Sequence, residues 1–114
     1  MTNRIENAII KTLEFRLGAH GSPPEYKEEV MQTVRKRIEQ GNKDYGPWLA
    51  DDPRNYICEA FEELVDAMEY LAAEIHREHT NEDEEIRKSL YLAIQRLYSV
   101  AIQLVDLRRK LKNS

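Results

Sequence analysis

The stretch Ile86–Leu111, "IRKSLYLAIQRLYSVAIQLVDLRRKL", places apolar residues at Ile86, Leu90, Ala93, Leu97, Val100, Leu104, Leu107 and Leu111. Their spacing, 4-3-4-3-4-3-4, is a strict heptad seam over nearly four heptads. Ile94 and Ala101 widen that seam into the broader face of a helix in a bundle. A lone two-stranded coiled coil fits less well, because the rest of the chain also reads as helices in need of partners. "TNED", residues 80–83, caps this helix, and the basic end "RRKLK" complements its dipole.

Working outward, three more helices precede it. The first spans about Arg4 to Leu17, with Asn3 as cap, Glu6 at the capping-box position and Gly18 as the stop. Ile5, Ile9, Leu13 and Leu17 mark its apolar side. Ser22-Pro23-Pro24-Glu25 starts the second, with Ser22 as cap and Pro23 at the first helical position. Tyr26, Val30, Val34 and Ile38 line one side of it, and Gly41 is expected to end it after Gln40. "GNKDYGPWLADDP" reads as the longest loop. Asp52-Pro53 then opens a third helix that nothing breaks before Thr80-Asn81, about 26 residues or roughly 39 Å at 1.5 Å per residue. The expected architecture is all-α: an antiparallel four-helix bundle, one helical domain over residues 1–114, assembled as an oligomer.

Composition agrees with a globular chain. Of 114 residues, 41% are hydrophobic and 33% charged, with only 4 Gly and 4 Pro. A net charge of −4 argues against a nucleic-acid polymer as the partner, although a metal ion could still bridge the protein to an anionic nucleotide. The single cysteine, Cys58, excludes an internal disulfide and fits a reducing compartment. "MTNRIENAII" holds no signal-peptide block, and no apolar run approaches 18 residues. The expected setting is soluble and cytoplasmic, with no membrane partner.

The third helix carries the chemistry. "EAFEELVDAMEYL", Glu59–Leu71, holds Glu59, Glu62, Glu63 and Asp66 on one side. Ile57, Phe61, Leu64, Val65, Met68, Leu71, Ala72 and Ile75 form an apolar stripe roughly opposite. The plain reading is the solvated face of an amphipathic helix. Against it, no Lys or Arg occurs between Arg54 and Arg77, while six acids do: Glu59, Glu62, Glu63, Asp66, Glu69 and Glu74. Like-charge pairs three or four residues apart cost about 0.2–0.5 kcal/mol each, on the order of 1–2.5 kcal/mol for this helix. A divalent cation would reverse that cost, and so would bases from another chain. Ala67, Tyr70 and Ala73 lie on or beside the acidic side, which suggests a helix packed on two sides with its carboxylates in a cleft. Such hard oxygen donors suit Mg²⁺, or Mn²⁺ in its place, and the lack of His or Cys among them argues against zinc.

"EAFEELVDAMEYL" resembles the second acidic motif of the MazG-like all-α nucleoside triphosphate pyrophosphohydrolases, whose signature is EExxE on one helix and ExxD on a later one. Glu63-x-x-Asp66 matches the ExxD half. "RIEQGNKDYGPWLADDPRN", just upstream, is similar to small phage-type members, so the resemblance covers roughly residues 35–75. It implies an oligomeric helical bundle that uses Mg²⁺ to cleave a (d)NTP to the monophosphate and pyrophosphate. Glu63 and Asp66 would then hold the metal, with Glu59 and Glu62 as further ligands or as the base that orients water. The first half departs from the pattern: Glu28-Glu29-Val30-Met31-Gln32 has Gln where the third acid belongs. Acids at Glu28 and Glu29 are also explained by the dipole of the second helix.

Lys43, Tyr45, Trp48 and Arg54 flank the start of the acidic helix and are the candidates for substrate contact, aromatic rings for a base and cations for phosphate. Tyr45 and Trp48 would equally serve to plug a bundle end, with Gly46-Pro47 making the turn. Arg35, Lys36 and Arg37 suit the C-terminal dipole of the second helix. His76 and His79, three apart, permit metal binding but suit the dipole at the end of the third helix better. Tyr91 and Tyr98 read as contact residues. A non-enzymatic interaction protein, its acidic face set against a basic partner, is the alternative function.

Overall fold

The computed structural model describes residues 2–49 and 55–112, and every described regular element is helical. In chain order these are α1 (Arg4–Gly18), α2 (Pro24–Tyr45), α3 (Tyr56–Ile75), α4 (Glu78–Asn81) and α5 (Glu84–Lys112). They form two compact units, Met1–Pro53 and Arg54–Ser114. The first is the α1–α2 hairpin, and the second packs α3 on α5 with α4 between them in sequence.

In the hairpin, α1 starts as its sequence predicts. The Asn3 side chain accepts from the Glu6 N–H at 2.9 Å, and Glu6 returns the bond from the Asn3 N–H at 2.9 Å, a complete capping box. α2 begins one residue later than expected. Pro23, not Ser22, is the cap residue, and no side chain caps it. Its end moves further. α2 continues through Gly41 to Tyr45, and the stop is Gly46, whose φ of 85° places it in the left-handed region. Gly41 costs about 1 kcal/mol relative to Ala in a helix interior, too little to break a helix supported on both sides. Gln40 donates to Asp44 at 3.0 Å across that point, and Asn42 is bonded to α1.

The packed side of α2 also differs from the Tyr26–Val30–Val34–Ile38 line. Met31, 1% exposed, and Ile38, 6% exposed, face inward, whereas Tyr26 and Val30 lie open. One charged link, Arg35 to Glu14 at 2.6 Å, joins the two helices at the surface.

In the second unit, Asn55 caps α3 by accepting the Cys58 N–H at 3.1 Å. The expected start at Asp52-Pro53 lies outside the described residues. The expected 26-residue span is corrected to 20. His76 leaves the helix at ψ 0°, and Arg77 is extended before the single turn of α4. Thr80, 2% exposed, donates to Glu74 at 3.2 Å and fastens this corner. Asp83 caps α5 by accepting the Ile86 N–H at 3.1 Å.

The seam of α5 is rotated from the strict heptad line. Ala101 is buried, with Leu90, Ile94, Leu97, Leu104 and Val105 half-buried around it. Ile86, Val100, Leu107 and Leu111, all on the heptad line, are 41–60% exposed. The contact with α3 is therefore centred on the positions that widened the seam, and one edge of the heptad line is left uncovered. By length and composition alone α5 could cross a membrane, with a window of mean hydropathy 1.2.

Candidate functional site: the acidic face of α3

The apolar stripe of α3 behaves as its periodicity predicts. Ile75 is buried and Ile57, Phe61, Leu64, Val65, Met68 and Leu71 are half-buried, while Ala72 is exposed. Turning that stripe inward turns Glu59, Glu62, Glu63 and Asp66 outward, and all four are exposed. Among the described residues none of them has an ion-pair partner. The second packed side inferred from Ala67, Tyr70 and Ala73 is not formed in this unit, since Tyr70 is 76% exposed and Ala73 is open.

What the face can do chemically follows from this geometry. No three His, Cys, Asp or Glu residues among those described gather closely enough to enclose a metal ion. A calcium-type cage is thus not supplied by the described residues. Mg²⁺ asks for less: one or two carboxylates, with waters and substrate phosphates completing its octahedron. The i,i+3 pair Glu63 and Asp66 and the i,i+4 pair Glu59 and Glu63 provide that number on an open helix surface. At the far end, Glu74 is already engaged, by Arg77 at 2.9 Å and by Thr80.

The other candidates lie as follows. Glu28, Glu29 and Gln32 are exposed on α2, with Glu28 3.9 Å from Arg35, and they make no acidic cluster of their own. Lys43 and Tyr45 occupy the last turn of α2, and Tyr45 is 88% exposed. Trp48 instead folds back onto its own unit, where it lines an apolar groove of about 540 Å³ with Ile9, Tyr26, Val30, Val34 and Ile38. Arg54 lies outside the described residues. His76 and His79 are both exposed and are separated by the break between α3 and α4, so they share no helix face. Cys58 is half-buried, 3.9 Å from the Arg108 guanidinium. Tyr91 and Tyr98 are 54% and 59% exposed, beside the buried line of α5.

Two groups have surroundings that their sequence readings, a helix cap and a dipole-complementing end, did not include. Glu6 is one: it is fully buried, and beyond its cap it accepts from Asn42 Nδ2 at 3.2 Å and from the Trp48 N–H at 3.0 Å. Trp48 in turn accepts from Asn3 Nδ2 at 2.7 Å. Burial pushes the Glu6 carboxyl up, but the bonds from Asn3, Trp48 and Asn42 outweigh it and hold the group below the usual carboxylate value. The other is the cationic end of α5, whose only sequence signal was the run "RRKLK".

Comparison with protein-family models, with curated proteins and with solved structures finds no match to this chain.

Proposed function

We propose that the protein is a cytoplasmic, Mg²⁺-dependent nucleoside triphosphate pyrophosphohydrolase, active as an assembly of helical chains. The observation that carries this reading is the open face of α3, where Glu59, Glu62, Glu63 and Asp66 stand together without a compensating cation. Glu63 and Asp66 hold the metal. Glu59 and Glu62 complete its shell or orient the attacking water. Bound Mg²⁺ supplies charge neutralisation at the phosphoryl oxygens and removes the repulsion along the helix. Assembly as a dimer or tetramer, completing a four-helix bundle, is supported by the exposure of Val100 and Leu107 along one edge of α5.

Incubation with each (d)NTP and Mg²⁺, with pyrophosphate as the readout, tests this directly. Glu63→Ala and Asp66→Ala should each abolish turnover with helicity retained, because both side chains are exposed. A folded protein that turns over none of the eight common nucleotides would end the catalytic reading.

The exposure of all four carboxylates also favours a second reading, in which the face receives a basic protein partner and catalyses nothing. Thermal unfolding with and without Mg²⁺ or Mn²⁺ separates the two. A metal that binds only the folded state raises the melting temperature. An unchanged melting temperature, with a stable complex formed by a basic protein, selects the second.

A further inference from the structure

The C-terminal turns of α5 and the start of α3 border an open pocket of about 560 Å³, lined by Asn55, Ile57, Arg108, Arg109, Leu111 and Lys112. Three of those six residues are cations, and no carboxylate lines the pocket among the described residues. Arg35, Arg77, Lys88 and Lys110 each have a carboxylate within 4 Å. Lys110 makes the sharpest contrast: it lies on the same turn as Arg109, yet it is paired with Asp106 at 3.0 Å. Dipole compensation at a helix C-terminus accounts for basic residues there, but it does not require three of them to line one pocket in a chain of net charge −4.

Arg108 is held in place. Its guanidinium lies 4.8 Å from the centre of the Phe61 ring, and its Nη1 is 3.9 Å from Cys58 Sγ. Holding a flexible side chain before the ligand arrives lowers the entropy cost of binding. A planar guanidinium matches two oxygens of a phosphate, and an ammonium adds a point charge beside it. The volume exceeds that of a phosphate group, and Ile57 and Leu111 give the cavity apolar walls.

We propose that this pocket binds a small organic phosphate, its phosphate on Arg108, Arg109 and Lys112 and its organic part against Ile57 and Leu111. Ile57 belongs to the packed side of α3, whereas Glu63 and Asp66 point outward, so the pocket is separate from the acidic face. It does not depend on hydrolysis.

Titration calorimetry of the full chain at about 0.15 M ionic strength without divalent metal tests the site, with inorganic phosphate, pyrophosphate and a nucleoside monophosphate as separate probes. The monophosphate should bind more tightly than either inorganic anion. Arg109→Ala and Lys112→Ala should each weaken it by about tenfold or more, the loss of a hydrogen bond to a charged group. Lys110→Ala removes the same charge from the same helix end and should change the affinity by less than about twofold, given the screening of exposed charges. Circular dichroism checks that all three variants keep their helix. Equal weakening by Lys110→Ala would reduce the effect to diffuse attraction and overturn the site. Tighter binding of an inorganic anion would overturn the organic-ester assignment, and no binding of any probe would overturn the proposal as a whole. Because metal is absent throughout, a failure of the proposed hydrolase activity leaves this outcome untouched.

Discussion

In the α1–α2 unit the most enclosed residue is a carboxylate, Glu6, at 0% exposed, whose hydrogen bonds reach residues 36 and 42 positions away in sequence. In the α3–α5 unit the helix-to-helix contact centres instead on apolar positions, Ala101 and Ile75, each 4% exposed. Its ion pairs among the described residues, Glu74–Arg77, Glu84–Lys88 and Asp106–Lys110, are local and lie at the surface. The first unit depends on particular atoms meeting in one register, the second on volume. A polar knot of this kind loses several bonds when one member is removed, and it leaves donors buried without partners. An apolar seam tolerates chemical change but not added bulk.

The largest expected effect is therefore in the smaller contact. Glu6→Ala should destabilise the hairpin by roughly 3 kcal/mol or more, since the Asn3 and Trp48 N–H groups and the Asn42 amide all lose a charged acceptor. Amide hydrogen exchange would register this as lost protection in α1 and α2 with α5 unchanged. If α5 loses protection equally, the two units do not respond separately and the comparison fails.

Acid sharpens the same contrast. The Glu6 carboxyl is lowered on folding, so the unfolded chain binds its proton first as pH falls. The stabilisation is complete above the unfolded value of 4.5. It is lost progressively as pH drops from there through the folded value. Unfolding of the hairpin on acidification, followed by hydrogen exchange or NMR, should lose much of this dependence in Glu6→Gln.

In the other unit, Ala101→Leu should cost about 1–3 kcal/mol by overpacking against α3, read as a lower denaturation midpoint. A neutral result would mean that α3 and α5 are looser there than the burial of Ala101 indicates. The smallest effect is expected from Lys88→Ala, which breaks an exposed i,i+4 pair with Glu84 at 3.2 Å and should cost about 0.3–0.5 kcal/mol.

Much of the local structure was legible in the residue string. The Asn3–Glu6 box, the acid cap of α5 and the stripe of α3 each depend on neighbours within one to three turns, and each formed. Two misreadings share a cause. Gly41 looks like a stop when only its own propensity is considered, but Asn42 bonds to α1, and that support comes from a distant segment. The same bond hid Glu6, which reads as a cap residue and becomes a buried hub once α2 is one turn longer. The heptad line of α5 is packed only in part, with Leu90, Ala93, Leu97 and Leu104 half-buried and Ile86, Val100, Leu107 and Leu111 exposed. Its apolar residues cover a wide arc, and period alone cannot say which part of a wide arc meets the partner.

For the candidate site, the sequence alone set which side of α3 is acidic, because a helix with one apolar stripe must turn the opposite side away from its neighbour. It also set the absence of compensating bases along that helix. Tertiary structure decided that the four carboxylates stand in the open rather than in a cleft of this unit, since that depends on which helix covers Ala67, Tyr70 and Ala73. It also brought Arg108, Arg109 and Lys112 against Asn55 and Ile57, more than fifty residues earlier in the chain. Short-range periodicity fixes the direction of a side chain relative to its own helix axis, and only packing of separate segments determines what stands across from it.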